Sequence, residues 1–527
     1  MHTNFGWLDG GIILAYLVTL ASIGFYFSKR QANLEVFFLA GRGMGWLPVG
    51  LSLMACLNSG IDYIMGPSST MRFGLILLTG TASWFLLWPW VYRVMLPFYR
   101  RLDIYTAYEY LERRFDTRVR TLAASIFLLW RIGWIATAMY VPCFAICAAS
   151  GGRIPLTPLI LLLGSIVVLY TVLGGMKAVI WTDVIQFFVM FGGLAATVWI
   201  VVASVPGGVP KIWAVAQEAG RTSFATPIPG AAHASFFQKI GLFFHQDITV
   251  IGLFVAAMVG RLAVYTGDQV MVQRFQTTKS LKDSKQAFII NAVGDVAWSF
   301  GLALVGLALL AYFKVHVLPA DIKNDEIFPH FMAENFPTGA IGLVIAAIFA
   351  ASLGAIGSAL NSCTSVVIID FYNHLFRKKS SASVSAEEDR EQVRISRIAT
   401  LLIGVVAIAI SSNVGRLGDL IEIANRVIQL FTGPLFAIYI LGMFTRRARS
   451  GGVLIGGLLG AGVSAYVAFL SGLGFVWPSV FGFAVALVVG YACSLIQGPA
   501  PESQVQLTFS KVMQLPERGP VAEEVGV

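Results

Sequence analysis

The chain has 527 residues, 57% of them apolar and 12% charged, and a formal charge of +9. Soluble domains carry roughly a quarter charged residues, so this composition excludes an ordinary soluble enzyme and describes an integral membrane protein. The positive excess falls in alternate loops and reads as membrane topology; the expected partner is the lipid bilayer, with no role for nucleic acid.

Taken in chain order, about thirteen apolar runs reach the length needed to cross roughly 30 Å of hydrocarbon. They lie at about 8–27, 44–71, 75–97, 121–149, 156–173, 178–204, 241–265, 286–313, 339–369, 395–412, 418–444, 452–471 and 474–496. The runs leave no length for a separate soluble domain, so residues 1–497 are expected to form a single transmembrane domain. The first run lacks a basic stretch before it and a cleavage site after it, and Lys29 and Arg30 follow at once. It reads as a retained span with its N-terminus outside.

From that start, the loops predicted cytoplasmic hold Arg42, the group Arg100 to Arg120, Lys177, Arg274 to Lys285, Arg377 to Lys379 and Arg446 to Arg449. The predicted outer loop from Lys314 to Thr338 is acidic, with Asp321, Asp325, Glu326 and Glu334. One missed span would invert every later loop, so this asymmetry supports the count. A multi-pass protein of the plasma (cell inner) membrane is expected, with a cytoplasmic C-terminus. The polar tail 498–527 is expected to be disordered. Five cysteines, all in apolar runs, lack the paired spacing of a zinc site or a disulfide framework.

Two spans are irregular. The second contains LNSGIDYIMGPSS, Leu57 to Ser69, whose polar residues, glycines and proline predict an unwound segment. Free backbone groups at membrane depth are tolerated only beside protein or a wet cavity, so a break implies a site. The seventh span ends in VYTGDQVMVQRF, five spans later. That spacing suggests an inverted repeat, spans two to six (about 44–204) against seven to eleven (about 241–444), with the first and last two spans peripheral.

Charged or amide side chains inside spans each require a partner or a function. Asp62 in the broken segment is either a cap for unwound N–H groups or a site residue. Arg131 in the fourth span reads as an internal ion pair or a solute contact, and Asp295 shares a face with Asn291 in the eighth. Gln429 serves as glue between helices or as a ligand contact, and Asp183 as a cap or part of a cation site. In the ninth span, AAIFAASLGAIGSALNS (Ala346 to Ser362) presents two adjacent edges of Ala, Gly and Ser, where other backbone is expected to approach closely. There is no HExxH or GxSxG, and no histidine lies in mid-span, so the inventory excludes an enzyme and suggests no organic cofactor.

The segments AYEYLERRFD (Ala107 to Asp116), YTVLGGMKAVIWTDVIQ (Tyr170 to Gln186), GDQVMVQR (Gly267 to Arg274) and the small-residue stretch above resemble the sodium:solute symporter family, which includes sodium/glucose and sodium/sialic acid cotransporters. The resemblance runs from about Phe5 to Phe444. It implies an all-α, leucine-transporter-like inverted-repeat fold, alternating access coupled to Na⁺, and a small-molecule solute held near the membrane centre between spans two, three, seven, eight and eleven. No oligomer is required.

Residue by residue, the resemblance places Asn58 and Tyr63, Thr81 and Gln429 at sugar-contacting positions. Asp295 falls where a bacterial sugar transporter has Lys, and Trp134 replaces the Arg that sialic acid transporters use for the carboxylate. With Asp62 and Arg131, these make up the expected solute site. Two acids without a matching Arg disfavour a simple anion and suit a sugar or polyol; an amine-bearing solute would suit them as well, and Arg131, one turn from Trp134, leaves room for an acid.

The sodium site implied by family position comprises Cys56, Ser59, Ala351, Gly354 and Ala355, with Asp183 nearby. Where the family has two hydroxyl side chains, this chain has Gly354 and Ala355, which offer no side-chain oxygen to a hard cation. The expectation is therefore a Na⁺-coupled carrier. The alternative is an uncoupled or H⁺-coupled facilitator, or a solute sensor, with a degraded sodium site.

Overall fold

A computed structural model describes residues 6–28, 33–150, 152–225, 228, 230, 234–319, 322–376, 386–416 and 420–517. Lys29, Arg30, Asp321 and Arg377 to Lys379, used above for topology, lie outside the described residues. Among the described residues all regular structure is helical, and each of the thirteen expected spans has a helical counterpart. The second span is a bent pair, Trp46–Leu57 and Gly60–Phe73, turned by 57°. Spans five and six run together as Leu156–Ala203 and part at Gly175, whose φ of 56° and ψ of −162° are non-helical. The eleventh is Leu420–Phe444.

The break in the second span follows from its sequence. Asn58 and Ser59 are extended (ψ 139° and 166°), and the new helix begins with a capping box. Ser59 N and Oγ donate to Asp62 Oδ2 at 2.8 and 3.0 Å, which satisfies donors that the break would otherwise orphan. Gly60 then passes so close to the ninth span that a Cβ there would lie 2.2 Å from Ser352 Oγ and 2.9 Å from the Ile348 carbonyl. Only glycine fits.

The seventh span breaks in the same manner, five spans on. Val250–Gly267 ends at extended Asp268, whose Oδ1 accepts from Val270 N at 3.0 Å to start Gln269–Gln276. This span begins later than expected: residues 241–245 belong to a separate helix, Phe236–His245, and Thr249 caps the span itself. An apolar window cannot see that cap.

The ninth span, Ala340–Val366, forms the centre of the molecule, and every residue from Val344 to Val366 is buried. Its small side chains admit close neighbours on several faces. A Cβ on Gly357 would lie 2.7 Å from Tyr170 Oη, and one on Gly193 would meet the Ala347 methyl at 2.2 Å. Large apolar residues face outward instead, as a lipid boundary requires, with Phe85 85% and Trp199 76% exposed.

The tail differs from expectation. Two short helices, Glu502–Val505 and Phe509–Val512, pack on the face of the molecule that carries the arginines. Gln504 Nε2 donates to the Phe115 carbonyl at 2.8 Å, Tyr110 Oη to the Leu507 carbonyl at 3.2 Å, and Arg101 Nε to the Leu515 carbonyl at 3.1 Å. Phe509 lies between Phe98 and Phe444, and Val512 is buried. Apolar residues hidden among polar ones anchor this segment, while residues 518–527 lie outside the described set.

Candidate functional site

Beside the break in the second span lies a cavity of about 500 Å³. Its wall includes Asn58, Asp62, Thr81, Trp134, Asp295 and Gln429, six of the eight residues expected at the solute site. The other two lie elsewhere. Tyr63, one helical step beyond Asp62, faces away: its hydroxyl is 2.8 Å from Thr197 Oγ1 and its ring packs on Trp298 and Phe328. Arg131 lines an adjoining cavity of about 230 Å³ with Cys56 and Trp130; the two cavities share Trp134, Arg261 and Gln429 as walls. The Arg131 guanidinium is engaged by Asp268 through Nη2 and, at 3.3 Å, through Nε, and it lies 4.5 Å over Trp130. Asp268 is fully buried, so Arg131 is held in an internal ion pair, one of the two roles expected for it.

Asn291, one turn from Asp295, donates to Tyr265 Oη rather than lining the cavity. Gln429 accepts from Ser479 Oγ, which ties the eleventh span to the thirteenth.

Sequence reasoning missed Arg261. It lies on the seventh span and lines both cavities. Nη2 reaches Asp295 Oδ2 at 2.9 Å, Nη1 reaches Ser83 Oγ at 3.2 Å and the Gly80 carbonyl at 3.4 Å, and the guanidinium lies 5.1 Å over Trp84. Trp84 Nε1 donates to the same Asp295 oxygen at 2.7 Å. The signal was in the sequence, because a basic residue in an apolar run needs a partner wherever it occurs.

The expected sodium ligands lie behind this cavity, where spans two, six and nine meet. Gly354 sits so that a Cβ on it would be 2.8 Å from Gln186 Oε1, 3.2 Å from the Ala55 carbonyl and 3.4 Å from Asp183 Oδ1. Three oxygens therefore face the place of the missing side chain. Gln186 lies beside the Tyr16 and Tyr170 hydroxyls, but neither polar atom of its amide makes a hydrogen bond of good geometry.

Asp183 already has a cation. Arg274 Nη2 is 3.1 Å from Asp183 Oδ2, and Ser52 Oγ donates to that oxygen at 2.5 Å. Arg274 is wholly buried and also bonds Ser52 and Ser358. Ser59 spends its hydroxyl on Asp62, and Cys56 Sγ contacts the Leu53 carbonyl at 3.2 Å. Ala351 and Ala355 are buried and bring no side-chain oxygen. What this place offers a cation is thus the Ala55 carbonyl and the Asp183 carboxylate rather than the hydroxyl pair, with the Gln186 amide standing in the room of the missing side chain.

Toward the arginine-bearing face the cavity is shut. Tyr99 and Tyr108 hydroxyls bond the Thr266 and Gly267 carbonyls at 2.5 and 2.9 Å, and Arg100 Nη1 bonds the Thr278 carbonyl at 3.0 Å. Arg42 bridges Glu35 and Asp103 at 3.1 and 3.2 Å. The void among these residues is about 20 Å³, room for roughly one water. At its other end the cavity is bounded by Phe73, Leu77, Ile248, Phe475 and Val476, near the helix ends remote from that face.

The model of the sodium:solute symporter family matches residues 37–460. A sodium/sialic acid symporter of Aliivibrio fischeri is 30% identical over 495 residues, covering 93% of each chain. The human sodium-coupled monocarboxylate transporter 1 is 29% identical, covering 87% of this chain and 73% of its own. The solved substrate-bound, outward-open structure of a Na⁺-coupled sialic acid symporter superposes with a TM-score of 0.83 at 28% identity, covering 94% of this chain and all of the other (100%). A nucleobase-cation-symport-1 family transporter in a closed conformation matches with a TM-score of 0.54 at 13% identity, a likeness of fold.

Proposed function

Because the chain belongs to the sodium:solute symporter family, we propose that it moves a small polar organic solute across the plasma membrane by alternating access, driven by Na⁺. The observation that carries this reading is the cavity between the two broken spans, bounded by polar groups and shut toward one face. The shut face bears the arginines, which the positive-inside rule assigns to the cytoplasm, so the reading is of a cavity closed on its cytoplasmic side. A solute and ion entering together would have to favour the inward-facing arrangement by more than either does alone, since only differential affinity shifts such an equilibrium.

The sugar or polyol expected from sequence rested on positions matched by resemblance to sugar contacts and on the premise of two acids without an arginine. Arg261 beside Asp295 removes that premise, and the relatives named above carry sialic acid or monocarboxylates. A second reading, transport without sodium, is favoured by Gly354 and Ala355 and by the engagement of Asp183 with Arg274.

The test is uptake into proteoliposomes from a panel of sugars, amino acids and organic acids. An inward Na⁺ gradient is expected to accumulate at least one solute above equilibrium. Equal flux with K⁺ in place of Na⁺ would favour the second reading, and no flux of any solute would argue against a carrier.

A further inference from the structure

The cavity holds two opposed poles. Arg261 is the cationic one, with a side chain 22% exposed against 6% for Asp295, its counter-ion. Its Nη groups reach Asp295, Ser83 and Gly80, and among the described residues no hydrogen bond engages Nε, so one edge of the guanidinium remains for a ligand. Asp295 is the less accessible carboxylate: its side chain is 6% exposed and its Oδ2 accepts from both Arg261 and Trp84. Asp62 is the anionic pole: it is exposed along the cavity wall, and both Ser59 bonds fall on Oδ2, leaving Oδ1 for a ligand. The same wall carries Leu57, Ile61, Trp134 and Trp298.

Charge complementarity then selects the cargo. One guanidinium faces two carboxylates, so a simple anion enters a negative field in a poorly screened space. A simple cation leaves the Nε edge of Arg261 without an acceptor, and a neutral polyol leaves Asp62 desolvated with only neutral partners. We infer that the solute is a zwitterion, its carboxylate on the free edge of Arg261 and its ammonium on Asp62, with an uncharged body against the tryptophans. This rests on the transport reading above and names its substrate class. Arg131 contributes no net charge, being matched by Asp268.

The experiment is a thermal-shift and competition series on the purified full-length protein. The probes are α-amino acids with uncharged side chains, the matching amino-acid amides, the matching N-acetyl amino acids, and polyols. At least one amino acid is expected to stabilise the protein. Its amide and its N-acetyl derivative should each bind about 10- to 100-fold more weakly, the loss expected for one charge-assisted hydrogen bond. Asp62→Asn should weaken the amino acid by a similar factor and leave the N-acetyl compound unchanged. Arg261→Gln with Asp295→Asn, which strands no charge, should make acid and amide equal. Protection by no amino acid, or equally tight binding of an amide, an N-acetyl acid or a polyol to the unmodified protein, overturns the inference without any variant having to fold. A polyol accumulated under a sodium gradient would overturn it and leave symport standing; an amino acid that binds but is never accumulated would do the reverse.

Discussion

Gly354 shows how one missing side chain redistributes a site. The oxygens of Gln186, Ala55 and Asp183 converge on the space it leaves, so restoring a hydroxyl there without relief would push against the amide. The combination Gly354→Ser, Ala355→Ser and Gln186→Ala is therefore expected to raise apparent sodium affinity by about tenfold, in line with the size of ligand-shell effects on metals. Sodium dependence of solute flux measures it, and unchanged affinity would place the ion elsewhere.

The absence of the hydroxyl pair was legible from sequence, because it depends on two letters. What fills the gap was not, since Gln186 and Gly354 are far apart in the chain and meet only once spans six and nine pack. The partner of Arg261 was hidden for the same reason: Asp295 lies thirty-four residues away and comes within 2.9 Å only in the fold.

At the scale of elements, the breaks were legible and the docking of the tail was not. Asn58, Ser59, Gly60 and Asp62 stand out in an apolar run because each opposes a continuous helix, and Asp268 does so in the seventh span. The tail is polar on average, and its apolar anchors, chiefly Phe509 and Val512, are too few to register in composition. It joins the Ala107–Arg114 helix, through Tyr110, to the end of the eleventh span, through Phe444. Val512→Asp would bury an unpaired carboxylate at a cost of several kcal/mol, so the segment after Gly498 is expected to detach. Limited proteolysis should then cut near Glu502 far faster than in the unmodified protein; equal rates would mean the packing is not what holds it.

For the whole molecule, the five-span interval between irregular helices, read from hydropathy, becomes two capped breaks whose helices both pack on one small-residue span. Alternating arginine-rich loops gave the expectation of which face is cytoplasmic; which face the cavity is shut toward needed coordinates, because contacts such as Tyr99 to Thr266 depend on packing. The central claim is a mid-membrane cavity reachable from one side at a time. The most direct measurement places Thr81→Cys in a background lacking the five native cysteines and applies a membrane-impermeant thiol reagent to right-side-out and inside-out vesicles. Labelling from the outside only, slowed by solute, is expected; labelling from neither side, or from both sides at once, would contradict the account.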